Sequence, residues 1–345
     1  MTDKATFASQ SRFDLERIYK PIAEELQRTT ETIKERLSRS GAPIDEYLEY
    51  SFRLGGKRLR PALLLLTAKA LGNVDRRCVL CAAALELIHT GSLVHDDVLD
   101  GARFRRSLET INAKWDTHRA VLIGDLLITR ALELVCECDD SFVFRKIAES
   151  SGATVEGELF QTEAIGDLAL GVDDYFKIVG GKTASLLECA TSVGARLAGA
   201  DGRDTDAFSF FGRSLGVAFQ IVDDALDLVG DEDATGKTLG SDLANQKATL
   251  PLIYYFQRAD AKDAEALRER VARGVATSER AEIAQILRAS GAVDAALEHA
   301  RRMVDDAIDV LKEVESRVSS RGRACDRAAF ESLAEIARFI VRRDA

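Results

Sequence analysis

A chain of 345 residues, 46% of them hydrophobic, has enough material for a globular core in one large domain or two smaller ones. Four prolines, 6% aromatics and abundant Ala, Leu and Glu favour helix throughout and argue against a β-rich fold. A formal net charge of −10 provides no global basic field for nucleic acid, and neither the first twenty residues nor the longest apolar runs, such as Ala62–Leu66, resemble a signal peptide or a membrane span.

The first predicted helix covers Pro21–Ser40. A stretch that does not read as helix follows at Gly55-Gly56-Lys57-Arg58-Leu59-Arg60, glycine-opened and densely basic. It leads into a helix over Pro61–Leu71, where Pro61 suits a first helical turn because its missing N–H costs nothing there. Lys57, Arg58 and Arg60 just before a helix start form a ready anion site.

The next helix, Arg76–Asp100, carries three signals. Cys78 and Cys81 make a CxxC, but no second CxxC or paired His completes a zinc site, so they read as core-lining thiols. Glu86 and His89 make an ExxH; a di-iron bundle needs two such motifs, and only one is present. His89 is better suited to a phosphate. The helix ends in the pentad Asp96-Asp97-Val98-Leu99-Asp100. Residues i and i+4 share a helix face, so Asp96 and Asp100 project together. Like charges there, at a C-terminal end where the macrodipole disfavours them, call for neutralising cations. Arg105-Arg106 follow by a short turn, placed to hold phosphate oxygens.

Helices are then predicted over Arg119–Glu137, Phe142–Ala164 and Val172–Ala198. In the last of these Gly180-Gly181 precede Lys182-Thr183, which predicts a local kink that exposes backbone. The helix Arg203–Val229 ends in a second pentad, Asp223-Asp224-Ala225-Leu226-Asp227, with the same internal order as the first. A polar loop over Asp231–Gln246 follows, bringing Lys237 and then Lys247. Basic residues thus accompany both pentads. Hard carboxylate oxygens beside cations suit Mg²⁺ shared with a diphosphate.

Helices over Lys247–Gln257, Asp263–Arg273, Ser278–Ala289, Ala292–Arg317 and Ala324–Val341 complete the chain. Asp305-Asp306-Ala307-Ile308-Asp309 repeats the pentad pattern on a helix whose seam is Val293, Leu297, Ala300, Val304, Ala307, Leu311 and Val314. No basic loop follows it, so it reads as a solvated face beside a packing seam. With no low-complexity linker, the expectation is a single all-α domain over residues 1–345, about a dozen packed helices, with the first ten or so residues disordered.

LELIHTGSLVHDDVLDGARFRR, GGKRLRP, GKTASLLE, FQIVDDALDLVGDEDATGKTLGSDL and KATLPLI, in that family's motif types and spread between Tyr47 and Ile253, resemble the trans-isoprenyl diphosphate synthases, or polyprenyl synthetases. The resemblance implies an all-α bundle around a central cavity, usually a homodimer, with the two aspartate motifs facing each other and holding Mg²⁺, three ions per site. It implies that Asp96, Asp100 and Asp223 ligate metal directly, supported by Asp97, Asp224 and Asp227. Lys57, Arg60, His89 and Arg106 would hold the diphosphate of isopentenyl diphosphate. Arg105, Lys182, Lys237 and Lys247 would hold the allylic diphosphate. Thr183 and Gln220 would stabilise developing positive charge, and Phe219 would line the pocket. The implied reaction is head-to-tail condensation in a cytoplasmic enzyme, long products needing delivery to a membrane.

The chain departs from the family pattern at Ser107, Glu109 and Asp116, where Gly, Pro and Gly are common; Thr110 and Asn112 match. Product length is argued from Gly91 and Ser92, five and four residues before Asp96, and from Ile88 a turn further. Aromatic residues at the two near positions stop growth at farnesyl in the family. Two small residues here imply an open floor and long chains, with geranylgeranyl or farnesyl diphosphate as the alternative product. A class I terpene cyclase and a regulatory subunit of a heteromeric synthase are the other readings; the second full pentad and the basic pocket stand against them.

Overall fold

The computed structural model describes residues 15–229, 239–322 and 324–342. The first ten or so residues, expected to be disordered, lie outside these, as does the start of the polar loop after the second pentad. The described residues are almost entirely helical and fall into two compact units.

The first unit takes in Met1–Glu149, Cys189–Ser209 and Leu311–Glu335. Its helices begin with α1 (Ala23–Leu37), α2 (Ile44–Arg53), α3 (Leu59–Ala70) and α4 (Arg76–Leu99). A small antiparallel hairpin, β1 (Phe104–Arg105) and β2 (Leu108–Glu109), follows, with Phe104 opposite Glu109. Then come α5 (Ile111–Lys114), α6 (Thr117–Cys136) and the start of α7 (Ser141–Glu163). Ala62–Leu66 of α3 are fully buried, as is most of α4 from Cys78 to Leu87. A helix that is apolar all round has to sit inside a fold or a bilayer. By length and composition α4 passes for a membrane span, but its apolar window is 78% buried within the protein. Asp75 starts it, its carboxylate accepting from the N–H groups of Arg77 and Cys78.

The second unit takes in Ser150–Glu188, Phe210–Val310 and Ile336–Ala345. It contains α8 (Val172–Val179), a π turn (Gly180–Ala184), the start of α9 (Ser185–Leu197) and the end of α10 (Gly202–Val229). It also contains α11 (Ser241–Ala244), α12 (Leu250–Arg258), α13 (Ala261–Ala272), α14 (Thr277–Ala289), most of α15 (Ala292–Ser320) up to Val310, and the end of α16 (Arg327–Val341). Leu228, Leu243, Leu252, Leu267, Ile283 and Leu287 belong to its core.

Several local features differ from the sequence reading, among them α5 and α11, the latter a helical turn inside the polar loop expected over Asp231–Gln246. The ten residues of α2 were not expected, because Leu48 is the one aliphatic side chain they bury fully; Tyr50 packs edge-on against Trp115 instead. The two-residue strands are too short to show alternation. The helix expected over Val172–Ala198 is two α segments joined by the π turn, at the place where the paired glycines predicted a kink. The third pentad behaves as read: Asp305, Asp306 and Asp309 are exposed, while Val304 and Ala307 are buried. Cys78 and Cys81 are buried core thiols.

Candidate active site

In the first unit the basic loop is built before α3. Arg58 takes a left-handed backbone (φ 52°), which turns the chain into the helix. Two groups fasten the loop. Tyr19 Oη donates to Lys57 O at 3.0 Å, and Arg106 Nη1 donates to Gly55 O at 2.7 Å. The Arg106 guanidinium lies so close over Gly56 that any Cβ there would collide with it. A larger residue at this position would have to displace the Arg106 guanidinium from Gly55 O. The side chains then diverge. Arg58 bonds Thr30 Oγ1 and lies 5.3 Å above the Phe52 ring, whereas Arg60 turns inward, its Nε enclosed and without a partner. Burial lowers the Arg60 guanidinium to about 10, so it stays charged at neutral pH. Burial first, then the charges of Arg60, Arg105 and Arg106, hold the His89 imidazole well below its usual range, which keeps it neutral.

The first pentad closes α4. The Asp100 N–H bonds Asp96 O at 2.8 Å, Ala102 N–H bonds Asp97 O at 2.9 Å, and Gly101 supplies the left-handed turn (φ 60°). Asp97 is buried, and Arg105 grips it: Nε lies 2.9 Å from Oδ1 and 3.0 Å from Oδ2, and Nη2 lies 2.9 Å from Oδ1. Burial raises the Asp97 carboxyl, and Arg105 opposes that. Asp96 is half-buried and Asp100 exposed. The hairpin that carries Arg105 and Arg106 is pinned at Ala102 O, which accepts from Thr110 Oγ1 (2.7 Å) and Asn112 Nδ2 (3.0 Å). Ser107 has φ 65°, a conformation glycine adopts without strain, so the departure from the family residue falls on a backbone position that favours glycine. Asp116 is the N-cap of α6, its Oδ1 accepting from Arg119 N–H at 2.7 Å.

In the second unit the π turn is pressed against α7. A Cβ on Gly157 would strike the Lys182 backbone, and one on Gly181 would lie 2.8 Å from Ala153 O. The turn directs Lys182 into an ion pair with Glu158 and Thr183 toward α10. A chain of hydrogen bonds follows: Thr183 Oγ1 donates to Gln220 Oε1 (2.9 Å), Gln220 Nε2 to Asp224 Oδ1 (2.8 Å), and Tyr175 Oη to Asp224 Oδ2 (2.6 Å). Burial, and after it the charge of Asp242, pushes the Asp224 carboxyl up to about 8. Asp227 is also engaged. Its Oδ1 accepts from Ser241 Oγ (2.8 Å) and Ser241 N–H (3.2 Å), and its Oδ2 from Asp242 N–H (2.9 Å). Lys247 Nζ lies 3.6 Å from Asp242 Oδ1. Phe219 and Asp223 are half-buried on the same helix. Lys237 lies outside the described residues.

Each unit thus repeats one pattern. The first aspartate of a pentad stands at a partly open position, the second is buried and held by neighbours, and Lys or Arg side chains come from an adjoining turn. Among the described residues no three His, Cys, Asp or Glu side chains converge to hold a metal ion by themselves. The donors that are present are carboxylate oxygens, which suits a hard cation that keeps coordination positions for substrate phosphates.

The open space expected at Gly91 is not found along its Cβ direction. A methyl group there would lie 3.0 Å from Gly124 O, 3.1 Å from Ile128 Cγ1 and 3.5 Å from Leu127 Cβ. A side chain there would need small shifts in the packing of α4 on α6, which a sequence read along one helix cannot register. His95 covers Gly124 from above, its Nε2 3.1 Å from Val121 O. Ser92 is half-buried, its Oγ bonded to His89 O at 2.9 Å, and Ile88 is buried. Glu158, Tyr175 and Asp242 were missed in the sequence. Gly157, a glycine inside a helical pattern, was the available sign of a close approach beside Glu158.

The family model for polyprenyl synthetase matches residues 42–289. An octaprenyl diphosphate synthase of Haemophilus influenzae is 33% identical over 303 residues, 88% of this chain and 92% of that protein. The crystal structure of a decaprenyl diphosphate synthase from Rhodobacter capsulatus superposes with a TM-score of 0.86 at 34% identity, covering 96% of this chain and 99% of that one. A polyprenyl synthase from Caulobacter crescentus, solved with calcium and isoprenyl diphosphate, also has a TM-score of 0.86, at 33% identity, covering 96% of this chain and 98% of that one.

Proposed function

The chain belongs to the polyprenyl synthetase family, and on that premise we propose that it condenses an allylic diphosphate with isopentenyl diphosphate, head to tail, into a long all-trans polyprenyl diphosphate. The observation that carries this reading is the repeated half-site, aspartate pentad plus adjoining cations, in both units. Asp96, Asp100 and Asp223 would hold Mg²⁺, three ions per site, together with diphosphate oxygens. Bound there, the metal supplies Lewis-acid stabilisation of the departing diphosphate. Asp97, Asp224 and Asp227 would support the metal, either as ligands themselves or through groups next to it.

The chain's own groups do the rest. Arg60 and Arg106, with neutral His89 and with Lys57, receive the diphosphate of isopentenyl diphosphate. Arg105, Lys182, Lys237 and Lys247 hold the allylic diphosphate. Thr183 and Gln220 turn their oxygen dipoles toward an allylic cation, with Phe219 on the pocket wall. The proton lost after carbon–carbon bond formation leaves with the diphosphate, so no dedicated protein base is needed. Water has to be kept out while the cation exists.

As a working unit we take the whole chain as one domain, in a cytoplasmic homodimer that delivers its product to a membrane. Val155 and Leu159, four apart on α7 and about 60% exposed, are suited to a partner subunit. Purified protein given isopentenyl and farnesyl diphosphates should yield chains beyond geranylgeranyl only when Mg²⁺ is added. A stop at geranylgeranyl would leave the chemistry standing and shorten the product. No consumption with any allylic starter would sink the reading.

A further inference from the structure

Tyr175 is a buried phenol on α8, 4% exposed, to which the reaction outlined above gives no part. α8 and the π turn that continues it supply both Tyr175 and Thr183, while α10 supplies Gln220 and Asp224, at i and i+4 on one face. The four side chains close into a bracket between these elements. Tyr175 Oη donates to Asp224 Oδ2 at 2.6 Å, Gln220 Nε2 to Asp224 Oδ1 at 2.8 Å, and Thr183 Oγ1 to Gln220 Oε1 at 2.9 Å. An amide side chain has a donor at one end and an acceptor at the other, and its partners decide which way round it sits. Asp224 takes the nitrogen end of Gln220, so Oε1 is the end that meets Thr183. That choice lasts only while Asp224 Oδ1 keeps its place. A carboxyl held through one oxygen turns easily about its last bond, and the phenol on Oδ2 removes that freedom. The phenol is itself anchored, its ring edge-on to Phe176 with centroids 5.6 Å apart. Burial first, then the charge of Asp224, hold its hydroxyl well above the usual range, so it stays a donor at neutral pH.

Resting on the reading of Thr183 and Gln220 as the pair that faces the allylic cation, we propose that Tyr175 is the positioning residue for that pair. It locks the Asp224 carboxyl, and through it the Gln220 amide, with Oε1 on the Thr183 side. The phenol touches no substrate, and no bond or proton changes hands at it. Its contribution is that the oxygen dipoles are aimed before positive charge develops, which is the condition under which fixed dipoles stabilise a transition state. An interaction of that kind acts on the rate of the bound complex and leaves substrate binding almost untouched.

The test is a double-mutant cycle on the intact protein. It is read as the single-turnover rate of the first condensation of farnesyl with isopentenyl diphosphate, measured across a Mg²⁺ titration. Tyr175→Phe removes one oxygen and keeps the ring. It should slow that step about tenfold, with the half-saturating concentrations of both diphosphates moved by less than about threefold. In a Gln220→Ala background the same change should cost less than about twofold, because the group it positions is gone. An equal loss in the two backgrounds overturns the proposal, as does a wild-type rate in Tyr175→Phe. A loss that added Mg²⁺ restores also overturns it, since the phenol then acts on the metal and not on the amide. Should Tyr175→Phe not fold, Tyr175→His takes its place in the cycle: a loss that disappears with Gln220→Ala supports the proposal, and an additive loss overturns it. A Gln220→Ala protein as fast as wild type removes the role of the pair, and this proposal with it, while the condensation reading stands. Failure of the wild type to consume isopentenyl diphosphate with any allylic starter removes both.

Discussion

Arg105 holds Asp97 from two nitrogens, with Nε 2.9 Å and Nη2 2.9 Å from the same Oδ1. The second aspartate of the first pentad is thereby a fixed post between α4 and the hairpin. Removing one partner of a buried pair leaves the other uncompensated, at a cost of about 3 kcal/mol. Arg105→Ala should lose roughly that much in urea denaturation and should recover part of it as pH falls, because protonation relieves the stranded carboxylate. An unchanged midpoint at neutral pH would show that the pair is not holding the hairpin.

Asp96→Ala and Asp223→Ala remove charge from partly open positions rather than from the core. Turnover should fall by at least about a thousandfold, equivalent to about 4 kcal/mol of transition-state stabilisation, with thermal melting nearly unmoved. Product formation at the wild-type rate in either variant would contradict the metal assignment.

Gly91 and Ser92 should respond differently to the same substitution. Gly91→Phe has to force α4 and α6 apart at Gly124, so it should destabilise by about 1–3 kcal/mol. Ser92→Phe, at a half-buried position, should leave the melt almost unchanged and shorten the product. Sizing the products and melting both variants separates the two effects; a shortened product from a fully stable Gly91→Phe would show that the helices yield.

The Asp224 carboxyl has a folded-state value of about 8 against an ordinary 3.8. Its contribution to stability is therefore fully present below pH 3.8 and is lost as pH rises through about 8. The stability of Asp224→Asn relative to wild type should improve across that window, by up to about 1 kcal/mol per pH unit. Parallel stability curves between pH 5 and 8 would mean that the carboxylate is ionised in the fold.

Asp305 and Asp309 lie exposed on α15, away from any basic loop in the sequence. Replacing both by Asn should change turnover less than twofold and stability by no more than about 0.5 kcal/mol. Loss of activity would promote the third pentad from a solvated face to a site.

Much of this was legible because the signals are local. Helical periodicity predicted most of the long helices, and the pentads with their following cations pointed to the two acidic clusters proposed to hold metal. The roles within each pentad were less accessible. Nothing in the order Asp-Asp-x-x-Asp says that Arg105 will occupy Asp97, or that Asp227 will bind Ser241 and Asp242. Those depend on loops returning to the helix end. The neighbours of Gly91 were out of reach for the same reason. Its small size also answers to Gly124 and Ile128 on another helix, which approach it closely. Asp116, an apparent departure from the family, is explained by its capping bond.

The π turn at Gly180–Ala184 is a phase shifter inserted between two α segments. One surplus residue in a ladder of 3.6 per turn rotates everything beyond it by about 100°. Deleting one residue there would restore an unbroken hydrogen-bond ladder, and with it a better helix. It would also carry either Lys182 away from Glu158 or Thr183 away from Gln220, since both cannot keep their bearings once the phase is lost. Helix regularity and site geometry are in direct opposition at these five residues, and the two glycines that weaken the helix make the chemical arrangement possible.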